Sequence, residues 1–254
     1  MEKNKTLVVI PYLAEAAQGD ELLLAVTGWR KHFKTPHRIV IVGDYHPVVE
    51  AAKDITFIEC PRITGAAEGQ YLPHLDIVNK FRRVYEWFPD TEGLIYACDD
   101  MYAVRDFKLD HVLVPKLPHE GYDIPSFDWR KERGWMSDLG KTRELCEREG
   151  FTQKNWVCHL PIFFSWEKLI EILDRYDCDH ESYIVENIYY NKIAILYAMG
   201  GVPVLDSECF QHEVKTSSPG FETTDEVGKI WITNANSGWS ERLEEIIWKH
   251  YTSL

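Results

Sequence analysis

Several familiar signatures are missing from this chain of 254 residues. There is no G-x-x-x-x-G-K phosphate loop, no G-x-G-x-x-G dinucleotide turn and no G-x-S-x-G nucleophile elbow. These absences weigh against a P-loop NTPase, a nicotinamide dehydrogenase and an α/β-hydrolase. The six cysteines (Cys60, Cys98, Cys146, Cys158, Cys178 and Cys209) form no C-x-x-C pair and no Cys/His arrangement with zinc spacing. Basic residues are few, 28 Lys and Arg against 41 Asp and Glu, for a net charge of −13. A broad cationic face for a phosphate backbone is therefore not expected, so nucleic acid is not expected as a partner and an anionic membrane surface is disfavoured. Long apolar runs are absent too. Leu7-Val8-Val9-Ile10, next to the first residue read, is far too short for a signal h-region or a membrane span. The expectation is a cytoplasmic protein with free thiols and no transmembrane segment. No internal repeat, low-complexity stretch or linker divides it.

What is present is core material, with 45% hydrophobic residues, enough for one large domain spanning 1–254. The first hundred residues alternate strand-like and helix-like runs. Leu7–Ile10, Arg38–Val42, Ile55–Ile58 and Gly93–Ala97 are continuous apolar runs of the kind that forms strands buried on both faces. Between them, Leu22, Val26, Trp29 and Phe33 trace one helical stripe, and Leu75, Val78, Phe81, Tyr85 and Phe88 a second that Pro89 stops. This alternation predicts βαβ units, hence an α/β fold with a mostly parallel twisted sheet flanked by helices. The second half is less regular. Val112–Val114 is expected as an edge strand, Lys141–Gly150 as a helix and Trp156–Cys158 as a strand. Trp166–Tyr176, Ser182–Met199 and Ser240–Tyr251 are expected as helices.

In open parallel sheets ligands collect beyond the carboxyl ends of the strands. Two predicted strands end there in acids: Asp44 after the second, and Asp99-Asp100 after the fourth. Adjacent carboxylates repel and are costly to desolvate, and a hard divalent cation with a substrate phosphate in its shell offsets both costs. Mn²⁺ or Mg²⁺ is the cofactor this chemistry implies. The plainer alternative is a solvated loop start with Asp99 as a cap.

The stretch Leu94-Ile95-Tyr96-Ala97-Cys98-Asp99-Asp100-Met101-Tyr102 resembles the strand and acidic motif of GT-A glycosyltransferases. Val8-Val9-Ile10-Pro11-Tyr12 and Val40-Ile41-Val42-Gly43-Asp44 resemble the first and second strands of those enzymes. The resemblance covers roughly residues 6–104 and implies a GT-A-like fold. Residues 6–104 would then form the nucleotide-binding half and the irregular 105–254 the acceptor and catalytic half. It further implies a nucleotide diphosphate-sugar donor and a glycan or other hydroxyl acceptor as partners. Donor contacts are implied at Asp44, Asn79, Lys80 and Asp99. Where a full D-x-D has its first Asp, this chain has Cys98, so the metal role passes first to Asp100 and second to Asp99. His212 is implied as a third metal ligand. A second resemblance, to Stealth-type sugar-phosphate transferases, rests on Cys98–Tyr102, His159-Leu160-Pro161 and Ile232-Thr233-Asn234-Ala235-Asn236. Their V-D-G signature is absent here. It implies His159 as a catalytic group, metal ligand or phosphate contact.

Inverting transfer needs a carboxylate to take the acceptor proton. In the GT-A resemblance that base lies on or before a helix well after the acidic motif. Glu186 and, as the alternative, Asp179 occupy such positions, although acids also favour a helix's first turn for electrostatic reasons alone. The segment 119–140 reads as a long loop with Phe127, Trp129, Arg130, Lys131, Arg133 and Trp135. It is either a lid over the donor or an exposed loop anchored by its tryptophans.

Overall fold

The four apolar runs form the strands expected of them. In the computed structural model, which describes residues 6–51, 53–64, 72–118, 123–200, 204–214 and 229–252, β1 is Thr6–Tyr12, β2 His37–Gly43, β3 Ile55–Glu59 and β4 Gly93–Tyr96. All four run parallel, in the order β3-β2-β1-β4. Helix α1 (Glu21–His32) packs Leu22, Val26 and Trp29 on one face of this sheet, and α2 (Pro73–Trp87) packs Val78, Phe81 and Val84 on the other. The result is an α/β fold with a mostly parallel sheet between helices.

The irregular half supplies the fifth strand of this sheet. After β5 (Met101–Ala103) the chain makes a short helix α3 (Leu109–Leu113), β6 (Lys116–Leu117) and α4 (Trp135–Arg148). It then enters β7 (Ile162–Ser165), antiparallel to β4 with Tyr96 opposite Ile162. An antiparallel strand starts at the edge where its neighbour ends, so the residues just before β7 are delivered to the carboxyl edge of β4. Helices α5 (Trp166–Arg175) and α6 (Val185–Gly200) then cover that face of the sheet with α2.

A second, three-stranded sheet is built from β5, β9 (Gln211–Val214) and β10 (Trp231–Asn234), with β10 in the middle, antiparallel to β5 and parallel to β9. The terminal helix α7 (Glu241–Thr252) lays Leu243, Ile246, Ile247 and Tyr251 against Leu24, Ala25, Tyr102 and Ile232. A two-residue strand β8 (Leu205–Asp206) pairs with β6. Among the described residues, no helix is long and apolar enough to cross a membrane.

Two expected strands are replaced. Val112–Val114 falls largely within α3, because His111 Nδ1 accepts from the Lys108 N–H at 3.2 Å and closes a helical turn instead. Trp156–Cys158 is extended but joins no sheet. The amide side chains of α6 take the place of a neighbouring strand: Asn187 Oδ1 accepts from Trp156 N at 2.6 Å and Asn191 Oδ1 from Lys154 N at 2.8 Å.

The carboxyl edge is crowded enough to demand glycine. Gly43 has φ +132°, and a Cβ there would lie 2.1 Å from the Tyr12 carbonyl oxygen and 3.0 Å from Lys80 Cε. Gly43→Ala is expected to lower unfolding free energy by about 2–4 kcal/mol in urea denaturation, because both backbone strain and overlap with fixed main chain are introduced.

Candidate functional site

Asp99 and Asp100 leave the carboxyl end of β4 and stand at the seam between the two larger sheets, since β5 begins at once with Met101. The ends of β1 and β2 and one residue of α2 gather around them. Tyr12 closes β1, and its hydroxyl is pushed toward its neutral form by burial and then by the charges of Asp99, Asp44 and Glu21. Asp44 closes β2 and accepts from Ala14 N at 2.9 Å, which folds the loop after β1 over the edge. Lys80 rises from α2 beside Gly43, almost fully buried and ion-paired with Asp76, and its charge acts favourably on Asp99. Asn79, one residue earlier on α2, donates to Cys60 Sγ at 3.2 Å, beyond the end of β3.

The acid pair resists ionisation. Burial, then Asp100 and Glu21, push Asp99 up to about 8. Burial, then Glu21, push Asp100 up to about 7. Asp100 Oδ1 is buried with no hydrogen-bond partner. Its other oxygen, Oδ2, lies 3.3 Å from His159 Nε2. His159 holds φ +49°, a conformation unusual for a residue with a side chain. Its position just ahead of β7 brings it to the acid pair. Burial keeps it toward the neutral imidazole, while Glu213 favours the charged form.

These shifts give stability a definite pH dependence. A carboxyl whose folded pKa is raised holds its proton longer in the native state than in the unfolded chain, so stability is lost as pH rises from the ordinary carboxylate range through the folded value. In metal-free buffer the melting temperature is expected to fall between about pH 5 and 8, and Asp99→Asn is expected to flatten that fall.

Glu186 opens α6 in a buried position where desolvation raises its pKa and His74 opposes the shift. Its charge acts on Tyr96, Cys98 and Cys158, which places it beneath the acid loop and beside the segment leading to His159. Glu186 and His159 therefore reach the neighbourhood of Asp100 from the irregular half.

Two expected residues do not. Asp179 gives both carboxylate oxygens to the Arg82 fork, at 3.1 and 2.7 Å, on the outer side of α2, and it is 42% exposed. A carboxylate clamped by guanidinium in that place is a structural anchor, not a base for this site. His212 sits on β9, where successive side chains alternate between faces. Glu213, its neighbour, is the β9 residue whose charge acts on Asp100 and His159, so His212 is turned to the opposite face, with Val214. The segment read as either a lid or an anchored loop is held down along part of its length. Trp129 is packed on Gly140 of α4, with Arg130 stacked 4.5 Å from its ring and bonded to Glu144, so this stretch is docked and not poised to close. Trp135 lies in the first turn of α4, and residues 119–122 lie outside the described residues.

Sequence reasoning missed Glu21 and quoted Asn234 only as part of the stretch 232–236, without a role of its own. Glu21, buried at the start of α1, accepts from Gln18 N at 2.7 Å and from Asn234 Nδ2 at 3.0 Å. Tyr102 donates its hydroxyl to Asn234 Oδ1 at 2.7 Å, and Asn234 N donates to the Asp100 carbonyl at 3.3 Å. The signal for Glu21 was its place directly after the loop that leaves β1 at the same edge as Asp99.

Among the described residues no three His, Cys, Asp or Glu side chains are grouped as a complete metal cage. The orphaned Asp100 oxygen and the all-oxygen character of the pair nevertheless suit a hard cation that keeps most of its shell for phosphate or water. No family model and no curated protein sequence matches this chain. Among solved structures, the apo-form glycosyltransferase GlyE of Streptococcus pneumoniae TIGR4 is similar with a TM-score of 0.41 at 12% identity, over 99% of this chain and 61% of that one. The chain thus spans about three-fifths of that protein's length, and at this distance no residue role is carried over from it.

Proposed function

We propose that the protein is a metal-dependent glycosyltransferase that moves a sugar from a nucleotide diphosphate-sugar to an acceptor hydroxyl. The observation that carries this reading is the buried, unpartnered oxygen of Asp100, which follows Asp99 just past the carboxyl end of a parallel strand. Asp100 and Asp99 would hold Mn²⁺ or Mg²⁺, whose chemistry is to neutralise charge on the departing diphosphate. Lys80, oriented by Asp76, supports the phosphates from α2, and Asp44 and Tyr12 border the nucleotide side. Glu186 takes the acceptor proton as the acceptor oxygen attacks C1 of the donor sugar and the C1–phosphate oxygen bond breaks. Burial lifts its basicity toward neutral pH, where a general base works best. The test is a thermal-shift screen of nucleotide sugars with and without Mn²⁺, since a ligand of the native state raises its apparent stability. A metal-independent response, or none, counts against the reading.

The contact between His159 and Asp100 favours a second reading, transfer of a sugar phosphate, with the imidazole beside the reacting phosphoryl group. Products separate the two. Glycosyl transfer releases a nucleoside diphosphate, and sugar-phosphate transfer a nucleoside monophosphate.

A further inference from the structure

The loops that leave β1 and β3 are joined by one ion pair. Arg62 Nη1 lies 2.6 Å from Glu15 Oε2. Strand register fixes where this pair stands. Tyr12, Gly43 and Glu59 are level with one another at the carboxyl ends of β1, β2 and β3. Glu15 and Arg62 each lie three residues past those ends (15 − 12 and 62 − 59), and β2 runs between their strands. The pair therefore crosses the end of β2 beside Gly43 and Asp44, where the two outer strands stand roughly 10 Å apart.

Both loops are held through their main chains. Ala14 N donates to Asp44 Oδ2 at 2.9 Å, and Ala16 N and Ala17 N close a tight turn on the Leu13 carbonyl at 3.0 and 3.1 Å, which presents Glu15. On the other side Cys60 N donates to the Gly43 carbonyl at 3.2 Å and Ile63 N to Asp76 Oδ1 at 2.8 Å. Arg62 thus stands on a segment pinned before and after it. The side chains are less confined. That of Glu15 is 73% exposed and that of Arg62 33%, and an ion pair in contact with solvent adds little to stability. Exchange of one anion for another on this guanidinium therefore costs little.

The neighbouring cation, Lys80, is almost fully buried and ion-paired with Asp76. Arg62 is the more accessible of the two to a ligand that enters from solvent. A planar guanidinium matches two phosphate oxygens as well as it matches a carboxylate. We propose that Arg62 binds the phosphates of the nucleotide donor, and that Glu15 is an internal anion that holds the guanidinium until they arrive. The phosphate displaces the carboxylate, and the arginine changes partner without moving its backbone. This assignment rests on the reading of the carboxyl edge as a donor site, but the exchange is measurable with no sugar and no turnover.

The test uses the full chain in calorimetric titration, with inorganic pyrophosphate and UDP as probes in Mg²⁺ buffer of low ionic strength. Glu15→Gln frees the guanidinium and is expected to tighten both probes about threefold. Arg62→Gln is expected to weaken both about tenfold. The double variant is expected to bind as Arg62→Gln does, because Glu15 acts through Arg62. A pair that merely held the two loops together would weaken binding in both single variants alike. Unchanged binding in Arg62→Gln, weaker binding in Glu15→Gln, or no binding of either probe by the parent overturns the proposal. Should Arg62→Gln fail to fold, the sign of the change in Glu15→Gln still decides. Opposite shifts in a protein that transfers no sugar leave the phosphate site standing and sink the transferase reading. Sugar transfer whose donor KM ignores both substitutions does the reverse.

Discussion

Asp100→Asn is expected to abolish Mn²⁺-dependent binding of nucleotide sugars while leaving the fold intact. The substitution keeps the size of the side chain and its contact with His159, but it removes the charge and the basic oxygen that a hard cation requires. Because burial already disfavours the ionised form, the metal-free variant should melt at or above the parent's temperature at pH 8, where the parent bears the cost of the charge. Calorimetric titration with nucleotide sugars in Mn²⁺, beside a metal-free melt, reads both effects. A variant that binds as tightly as the parent would falsify the metal assignment. A variant that loses binding and melts far lower would make Asp100 a structural residue.

Glu186→Gln is expected to cut turnover by about 10²-fold or more with little change in donor affinity, because the amide preserves shape and removes basicity. The fastening of α6 by Asn187 and Asn191 to the 152–156 segment is untouched by the change, so positional drift is not a rival explanation. Equal loss of kcat and donor binding would point to a structural role. An unaffected rate would remove Glu186 from the chemistry and leave His159 as the nearest group.

The parallel half was legible because its strands are buried on both faces and so read as unbroken apolar runs: Leu7–Ile10, Arg38–Val42 and Leu94–Ala97 all lie in one sheet with one direction. Strand β7 was not, because Ile162–Ser165 is short, follows Pro161 and merges into the helix at Trp166. Trp156–Cys158 reads as a strand but is not one, because the Trp156 N–H is taken by the Asn187 side chain, 31 residues further on, which no local pattern reveals. Among the acids, Asp99 and Asp100 announced themselves by standing at a strand end. Glu21 had an innocent explanation as first-turn charge on α1, and its burial arises only when Asn234 arrives beside it. His212 and Glu213 are adjacent, and only the register of β9 on β10 decides which of them faces the acids.

The pairing of β5 with β10 also orders events on the ribosome. The four parallel strands, α1 and α2 all precede β5, so they can assemble before β7 and β10 are made. The loop that bears Asp99 and Asp100 cannot settle with them. It runs directly into β5, whose partner β10 emerges only later, and the hydroxyl of Tyr102 meets Asn234 across 132 residues of chain. Until then Glu21 lacks the amide that holds it, 213 residues away. A nascent chain can thus own a folded sheet while still lacking its acid centre. A fragment that stops short of β10 would keep much of the core, yet lack the amide that holds Glu21 and the Asp100 carbonyl.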